Sequence, residues 1–304
     1  MPSCAACFRL DDMSADVIFD LLKNGSAVDH KFRYVDRIGD QQVSKIKQRS
    51  YVLDALAGDR NDLMALRLAA GLTACSTRSP CNQPFCPMCR HARQAKFANQ
   101  VKARFAAVPQ DRLLFLTVLL SVHYDAGQID AALVKSFKRK FRNLLFHQNK
   151  TAAIPVRMSG AFEIEAMCAD LSAHKAVALA PLGHDKTRQD TFFLLHFHAV
   201  IDRGSLSQDQ LRSLLIKKHF PHSYQVRLQA THSDKTTEEN LAKIAGYMLK
   251  FRLQHSDRIS FSDDDQTGRK SSYGSLYDLA VAKKVVMAVN ACGQFAGMVL
   301  KTGS

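Results

Sequence analysis

The stretch TFFLLHFHAVID, residues 191–202, is an apolar run that carries two histidines. Its length and composition predict a buried β-strand. Side chains two apart on a strand point to the same face, so His196 and His198 lie side by side while Phe197 faces away. Two adjacent imidazoles supply half of a divalent-metal site. Taken alone, such a pair is more often a core histidine beside an incidental one.

A second motif, TTEENLAKIAGYMLKFR, begins at Thr236. Thr236 with Glu239 gives the S/T-x-x-E pattern that begins a helix, and apolar residues then recur at helical spacing. Lys243, Tyr247 and Lys250 lie at i, i+4 and i+7 and are predicted to share one helix face. A tyrosine between two lysines is a candidate nucleophile, because positive charge favours the phenolate and offsets charge on an attacked phosphate. The alternative is a surface tyrosine beside solvated lysines.

A predicted strand with one polar face precedes the histidines. Glu163 and Glu165 share this face with Ala161, whereas Phe162 and Ile164 point to the other. Either carboxylate is a candidate third metal ligand, and periodicity does not separate them. Two imidazoles and a carboxylate with open positions suit Mg²⁺ or Mn²⁺, of which Mn²⁺ tolerates nitrogen ligands better. A solvated strand face is the alternative.

In this order, the motifs resemble those of the HUH endonucleases, specifically the plasmid rolling-circle replication initiators with one catalytic tyrosine. The resemblance covers roughly residues 75–255, and the order and spacing of the motifs carry it more than any single motif. The matching residues are Phe115-Leu116-Thr117, Gly160-Ala161-Phe162-Glu163-Ile164-Glu165, His196-Phe197-His198 and Tyr247-Met248-Leu249-Lys250. Family position slightly favours Glu163 over Glu165 as the metal ligand.

The resemblance implies that Tyr247 nicks single-stranded origin DNA, forms a 5′-phosphotyrosine link and frees a 3′ hydroxyl as primer. Lys250 would orient the tyrosine or stabilise developing charge, and a host helicase would be recruited. These initiators often place an acidic residue one helical turn before the tyrosine to end the cycle. This chain has Lys243 there, with Glu239 a further turn back, so it departs from the family pattern for the termination step.

Four of the eight cysteines lie within one short segment, at the spacing that a tetrahedral zinc ion requires. The candidate ligands are Cys75, Cys81, Cys86 and Cys89, with His91 just beyond them. Four protein ligands would close the site, so we expect a structural Zn²⁺. The phrase CNQPFCPMCRHAR also resembles the segment before the first motif of the same initiators. Cys4 and Cys7 form another C-x-x-C and are competing ligands.

The chain is strongly basic, with 42 Lys and Arg against 28 Asp and Glu, a net charge of +14. Such an excess is typical of a protein that binds a polyanion, and here we expect single-stranded origin DNA. Binding should weaken steeply with salt. The candidate DNA-binding residues are Lys135, Lys138, Arg139, Lys140 and Arg142 on one predicted helix, and Arg90 and Arg93 on another. Solvated helix faces are the alternative for some of them.

No feature of the sequence predicts a membrane protein or an exported one. No apolar run reaches the length of a transmembrane helix, and the N-terminus lacks the basic and apolar regions of a signal peptide. Cysteines without export favour metal over disulfides. We therefore expect a cytoplasmic protein with no membrane partner.

The order of predicted elements indicates an α+β fold: an antiparallel sheet with helices packed on one face. The histidine strand would be central, with the tyrosine helix across from it, and residues 168–190 would form an extended hairpin. The predicted elements are strand 113–122, helix 129–146, strands 160–167 and 191–201, helix 207–219, strand 224–230 and helix 237–252. The predicted regions are a helical N-terminal region (1–74), a zinc knuckle with a basic helix (75–108), the HUH catalytic domain (109–255) and a C-terminal loop and helix (256–304).

Two other functions are compatible with parts of this pattern. A single-tyrosine HUH transposase shares the histidine pair and the tyrosine. A non-catalytic, zinc-stabilised DNA- or RNA-binding regulator would explain the charge and the cysteines equally well. It would leave the histidine pair, the acidic strand and Tyr247 as coincidences.

Overall fold

The structure is a computed structural model that describes residues 35–38, 41–168, 171, 173–222, 224–251, 253–256 and 273–303. The first 34 residues, with Cys4 and Cys7 and the first part of the predicted N-terminal helical region, lie outside the described residues. The helices are α1 (Lys45–Ala57), α2 (Leu63–Thr73), α3 (Pro87–Phe105), α4 (Ala131–Asn149), α5 (Ala173–Leu179), α6 (Gln208–Lys218), α7 (Thr237–Tyr247), α8 (Leu279–Ala291) and α9 (Gln294–Met298). The strands are β1 (Val35–Ile38), β2 (Gln41–Ser44), β3 (Leu113–His123), β4 (Arg157–Met167), β5 (Phe192–Asp202), β6 (Val226–Ala230), β7 (Gln254–Ser256), β8 (Tyr273–Leu276) and β9 (Val299–Thr302).

A five-stranded sheet in the order β6-β3-β5-β4-β9 forms the centre of the fold, and each neighbouring pair is antiparallel. The histidine strand β5 is the middle strand and is buried along its whole length. Its register pairs His196 with Glu163 and places His198 between Thr117 and Ala161. The predicted α+β fold, with an antiparallel sheet, flanking helices and a central histidine strand, is confirmed.

Both faces of the sheet are covered, so the expectation that helices pack on one face is wrong. On one face, Phe197 contacts Phe141 of α4 and Phe162 of β4, with ring centroids 4.7 and 4.8 Å apart. On the other face, His198 contacts Tyr247 at the end of α7. Because β5 carries large apolar side chains on both faces, both must be shielded from water.

Helix α7 ends at Tyr247, five residues earlier than predicted. Met248 is extended, and Leu249 and Phe251 have φ values of 90° and 42°, in the left-handed region where a helix cannot continue. Lys250 therefore lies beyond the helix, and the prediction that it shares a helical face with Tyr247 is wrong.

The connection between β4 and β5 contains helix α5 and a 3₁₀ turn over Ala180–Leu182, so the predicted extended hairpin is wrong. This connection contributes Leu179 to a small apolar cluster with Phe192, Leu194 and Leu119. Burial of those side chains favours a compact connection over an extended one. The connection thus covers one end of the face on which the histidines lie.

The C-terminal residues belong to the central sheet, which differs from the division predicted at residue 255. Strand β9 pairs with β4 at the sheet edge, and β8 pairs with β7 across that division. Likewise, Lys283 of α8 forms ion pairs with Asp59 and Asp62, which lie between α1 and α2 in the N-terminal region. Within the described ranges, no helix combines the length and apolar character needed to cross a membrane.

Candidate metal and tyrosine site

Strand register brings the two histidines and one glutamate into a compact group. The Nε2 atoms of His196 and His198 lie 3.3 and 3.7 Å from Glu163 Oε2. One ligand atom from each of the three residues lies within 4.8 Å of the other two. Neighbouring ligands of an octahedral ion with bonds of about 2.1 Å are about 3 Å apart, so a small inward shift would complete such a site.

The environment of this group suits a divalent cation. All three residues are 5–6 % exposed, and His196 Nε2 is buried without a hydrogen-bond partner. A buried polar atom without a partner is unfavourable, and a cation bound between His196 and Glu163 would remove that cost. We conclude that the three side chains could hold a divalent cation.

The structure distinguishes the positions of Glu163 and Glu165, which strand periodicity alone could not do. Glu165 Oε2 lies 3.9 Å from His196 Nδ1, on the side of the imidazole away from Glu163. It is not a member of the three-residue ligand group. Its position suits a carboxylate that orients His196 from behind the ring.

Strand β3 holds His198 in place. Thr117 Oγ1 lies 2.9 Å from His198 Nδ1, and Phe115 stacks on the imidazole at 5.5 Å with an interplanar angle of 13°. If His198 binds a metal through Nε2, its Nδ1–H donates to Thr117 Oγ1, which fixes both the tautomer and the ring orientation. The Phe115-Leu116-Thr117 motif thus lies beside the histidine pair.

Tyr247 is half-buried and lies against the same site. Its ring meets His198 edge-on at 5.0 Å and Phe115 edge-on at 5.7 Å. The ammonium of Lys250 lies 3.9 Å from the centroid of the Tyr247 ring. A cation at this distance attracts the π-system and would stabilise a phenolate. Lys250 therefore reaches the tyrosine from the extended segment after the helix.

The other polar residues of α7 are engaged elsewhere. Glu239 accepts hydrogen bonds from the Thr236 backbone at 2.8 Å and from its hydroxyl at 2.9 Å, which lower the Glu239 pKa and cap the helix. Lys243 Nζ lies 3.1 Å from His232 Nε2. Lys243 and Glu239 thus belong to the earlier turns of α7, and Lys250 is the cation at the Tyr247 ring.

The four cysteines form a second group. The Sγ–Sγ distances are 3.5 Å for Cys75–Cys89, 3.8 Å for Cys81–Cys89 and 3.6 Å for Cys75–Cys86. Sulfur atoms bound to one tetrahedral zinc at about 2.3 Å lie about 3.8 Å apart. These distances exceed the length of a disulfide, and the cysteines are free. Exposed His91 is not a member of the group.

Helix α3 begins inside the cysteine group, with Cys86 as N-cap and Cys89 in the first turn. Hydrogen bonding first with Cys75 and then with Cys81 lowers the pKa of Cys86. A thiolate at a helix N-terminus is also favoured by the helix dipole. The four sulfurs could therefore hold one metal ion.

The structure contradicts one predicted DNA contact. Arg90 is only 4 % exposed and donates to the Lys250 carbonyl and to Gln48 Oε1. Arg90 is a structural residue, because the residues that follow Tyr247 cover it. Arg93 is exposed on the next turn and donates to Asn82.

The basic face of α4 is remote from the tyrosine. Lys135, Arg139, Lys140 and Arg142 are exposed, but α4 packs on the Phe197 face of the sheet. Lys138 lies over the Phe162 ring, and burial followed by the charge of Arg142 lowers its pKa. These residues and the metal group lie on opposite faces of the sheet.

Sequence patterns missed a basic groove at the sheet edge. Arg142, Lys150 and Lys301 line a cavity of about 520 Å³ beside Phe146, which is 62 % exposed. Lys150 Nζ lies 4.7 Å from the Phe146 ring centroid. Burial, then the charges of Arg104 and Lys96, lowers the pKa of Lys301. Only the pairing of β9 with β4 brings Lys301 to α4, so no local motif could reveal this groove.

Arg227 is a further basic residue near the histidines that sequence patterns did not indicate. It pairs with Thr117, which in turn pairs with His198, so register places Arg227 on the histidine face of the sheet. The alternation of β6 is the sequence signal that could have indicated its orientation.

Comparison with models of protein families, with curated proteins and with solved structures found no match to this chain.

Proposed function

We propose that this chain is a metal-dependent, single-tyrosine endonuclease that nicks single-stranded origin DNA and so initiates rolling-circle replication. The observation that carries the proposal is the position of Tyr247, edge-on to His198 and beneath the Lys250 ammonium. A candidate nucleophile, a cation and a divalent-metal group thereby share one face of the sheet. A structural histidine pair would require neither the tyrosine nor the lysine beside it.

In the proposed reaction, Tyr247 Oη attacks phosphorus in line with the 3′ oxygen. A bond forms between phosphorus and Oη, and the bond from phosphorus to the 3′ oxygen breaks. The phenol proton passes to solvent and the departing oxygen gains a proton, so the products are a 5′-phosphotyrosine and a 3′ hydroxyl. Because the new bond is also a phosphodiester, the reverse attack rejoins the strand without an outside energy source.

The surrounding side chains have separable roles in this reaction. Lys250 stabilises the phenolate before attack, and Thr117 holds His198 in one orientation. His196, His198 and Glu163 would hold Mg²⁺ or Mn²⁺, which supplies Lewis-acid polarisation of a non-bridging phosphate oxygen.

We infer that the rest of the DNA strand follows the basic surfaces. The groove of Arg142, Lys150 and Lys301 offers cations for phosphates, and exposed Phe146 offers a ring on which a base can stack. A strand that crosses the sheet edge would connect this groove to the tyrosine side. The 3′ hydroxyl would then be extended as a primer, with a host helicase as a further expected partner.

The decisive test is covalent capture. The protein is mixed with a randomised single-stranded DNA pool and Mn²⁺, then resolved on a denaturing gel beside Tyr247→Phe and His196→Ala. We expect a DNA-shifted band for the wild type alone, and intact DNA binding for both variants. A DNA-shifted band of wild-type intensity for Tyr247→Phe would show that Tyr247 is not the nucleophile. Absence of a band on single-stranded and supercoiled DNA, with salt-sensitive binding retained, would favour the non-catalytic regulator.

A further inference from the structure

We propose that the four-cysteine centre positions the nucleophile, through side chains of α3 that hold the backbone immediately after Tyr247. The inference rests on the proposed function for its kinetic consequence. Its structural part, a coupling between the cysteine group and residues 247–251, can be measured without any DNA cleavage. The group would then do more than stabilise a remote knuckle.

Arg90 makes the first contact between the two regions. It follows Cys89 directly, and its Nη1 donates to the Lys250 carbonyl at 3.3 Å. Its Nη2 donates to Gln48 Oε1 at 2.7 Å, so the guanidinium is fixed from two sides. Hydrogen bonds from a buried charged group contribute more than neutral ones. Arg90 therefore ties the first turn of α3 to the residue that carries the candidate catalytic ammonium.

Gln94 makes the second contact, one turn further along α3. Its Nε2 donates to the Leu249 carbonyl at 2.7 Å. Leu249 has a φ of 90° and Phe251 a φ of 42°, conformations that side-chain-bearing residues rarely adopt. Such backbone persists only where surrounding contacts hold it. Arg90 and Gln94 donate to the carbonyls of Lys250 and Leu249, which lie within this stretch.

The third contact is apolar and comes from the cysteine segment itself. Phe85, directly before Cys86, meets the Phe251 ring edge-on at 5.8 Å, and both residues are buried. Three successive residues after the tyrosine helix, Leu249, Lys250 and Phe251, thus contact the cysteine segment and the first turns of the helix that begins in it.

The physical consequence is a chain of constraints. A metal bound by all four sulfurs would fix Cys86 and Cys89, and hence the start of α3 and the direction of Arg90 and Gln94. Without that metal, the first helical turn loses the cross-link that brings distant sulfurs together. The segment after Tyr247 would then be free to leave its left-handed conformation, and Lys250 would leave the tyrosine ring.

Hydrogen exchange of the full-length protein tests the coupling directly. Amide exchange is followed in peptides that cover residues 247–251 and strand β5, before and after zinc is removed with a chelator. We expect exchange in 247–251 to rise about fivefold to tenfold, as for the loss of one hydrogen bond, while β5 stays protected. No change in 247–251, or a rise only together with β5, would overturn the coupling.

Substitutions then separate positioning from binding. Gln94→Leu and Arg90→Met remove the donors, and Asn99→Leu, at an exposed position further along the same helix, is the matched control. For the two test variants with zinc bound, we expect faster exchange in 247–251, and a slower single-turnover rate of adduct formation at unchanged DNA affinity. If Arg90→Met does not fold, Gln94→Leu decides the question. Wild-type exchange in Gln94→Leu would refute the positioning role, whereas failure of every protein, wild type included, to form an adduct would refute only the proposed function.

Discussion

The ring of Tyr247 stands edge-on to the imidazole of His198, with centroids 5.0 Å apart and an interplanar angle of 82°. The tyrosine is the last residue of a helix, and the histidine lies in the central strand. Their contact joins two distant sequence motifs into one site.

Glu163 and Glu165 should contribute unequally to metal binding. Glu163 lies near both Nε2 atoms, whereas Glu165 faces Nδ1 of His196 only. Glu165→Gln should therefore weaken Mn²⁺ affinity about tenfold to a hundredfold, as for a group that orients a metal-bound imidazole. Glu163→Gln should weaken it more, because it removes a candidate ligand itself. Isothermal titration with Mn²⁺ measures both. Equal losses would show that the two carboxylates share the ion.

Lys250 should act on the rate of nicking and Lys243 should not. The Lys250 ammonium lies over the Tyr247 ring, whereas Lys243 contacts His232. We expect Lys250→Gln to slow adduct formation about tenfold to a hundredfold, since it removes a cation that stabilises the phenolate. Lys243→Gln makes the same charge change within α7, away from the Tyr247 ring, and is the control. Single-turnover gel assays at saturating DNA give both rates, and identical slowing would point to DNA binding instead.

Gly160 should be required for the close approach of β4 to β5. A Cβ at this position would lie 2.3 Å from the His198 carbonyl oxygen and 2.6 Å from the Ala199 Cβ. Gly160→Ala must separate the strands, so we expect a loss of about 1–3 kcal/mol in unfolding free energy together with weaker Mn²⁺ binding.

Gly71 in α2 provides the control for that substitution. A Cβ there meets no atom within 4 Å, so Gly71→Ala should stabilise the helix by up to about 1 kcal/mol. Denaturant melts and Mn²⁺ titrations distinguish the two variants. Unchanged stability and metal affinity in Gly160→Ala would contradict the strand spacing.

The basic groove should contribute to the salt dependence of single-strand binding. Replacing Lys150 and Lys301 with glutamine removes two phosphate contacts, so the slope of log affinity against log salt should fall by about 1.4 units. Lys135→Gln with Lys140→Gln removes the same charge from an exposed part of α4 outside the groove. Fluorescence anisotropy with a short oligothymidylate measures the slopes. Equal slopes for the two double variants would mean that the strand does not follow the groove.

Much of the architecture could be predicted from local pattern. The apolar run of β5 predicted a buried strand, which the structure contains. Thr236 with Glu239 predicted the start of α7, and these two residues form the capping box there. The clustering of the four cysteines predicted a compact thiol group. These predictions were possible because strand alternation, helix capping and short cysteine spacing depend on residues close together in the chain.

The end of α7 could not be predicted in the same way. The apolar periodicity continues past Tyr247, but Arg90 and Gln94 hold the following carbonyls in a conformation that is not helical. Both donors come from a helix far earlier in the chain. Tertiary contacts thus override local helical preference there. They also bury Arg90, which was expected to contact DNA and instead holds the Lys250 carbonyl.

The sequence by itself determined the candidate ligands and nucleophile and their local placement: a histidine pair on one strand face, two carboxylates on another, a tyrosine on a helix and four clustered cysteines. Only the tertiary structure decided that Glu163 rather than Glu165 lies with both imidazoles, and that Lys250 reaches the tyrosine ring. It alone joined Lys301 to α4 in one groove. The reason is physical: periodicity fixes the face on which a side chain lies, but strand register and long-range packing fix its neighbours.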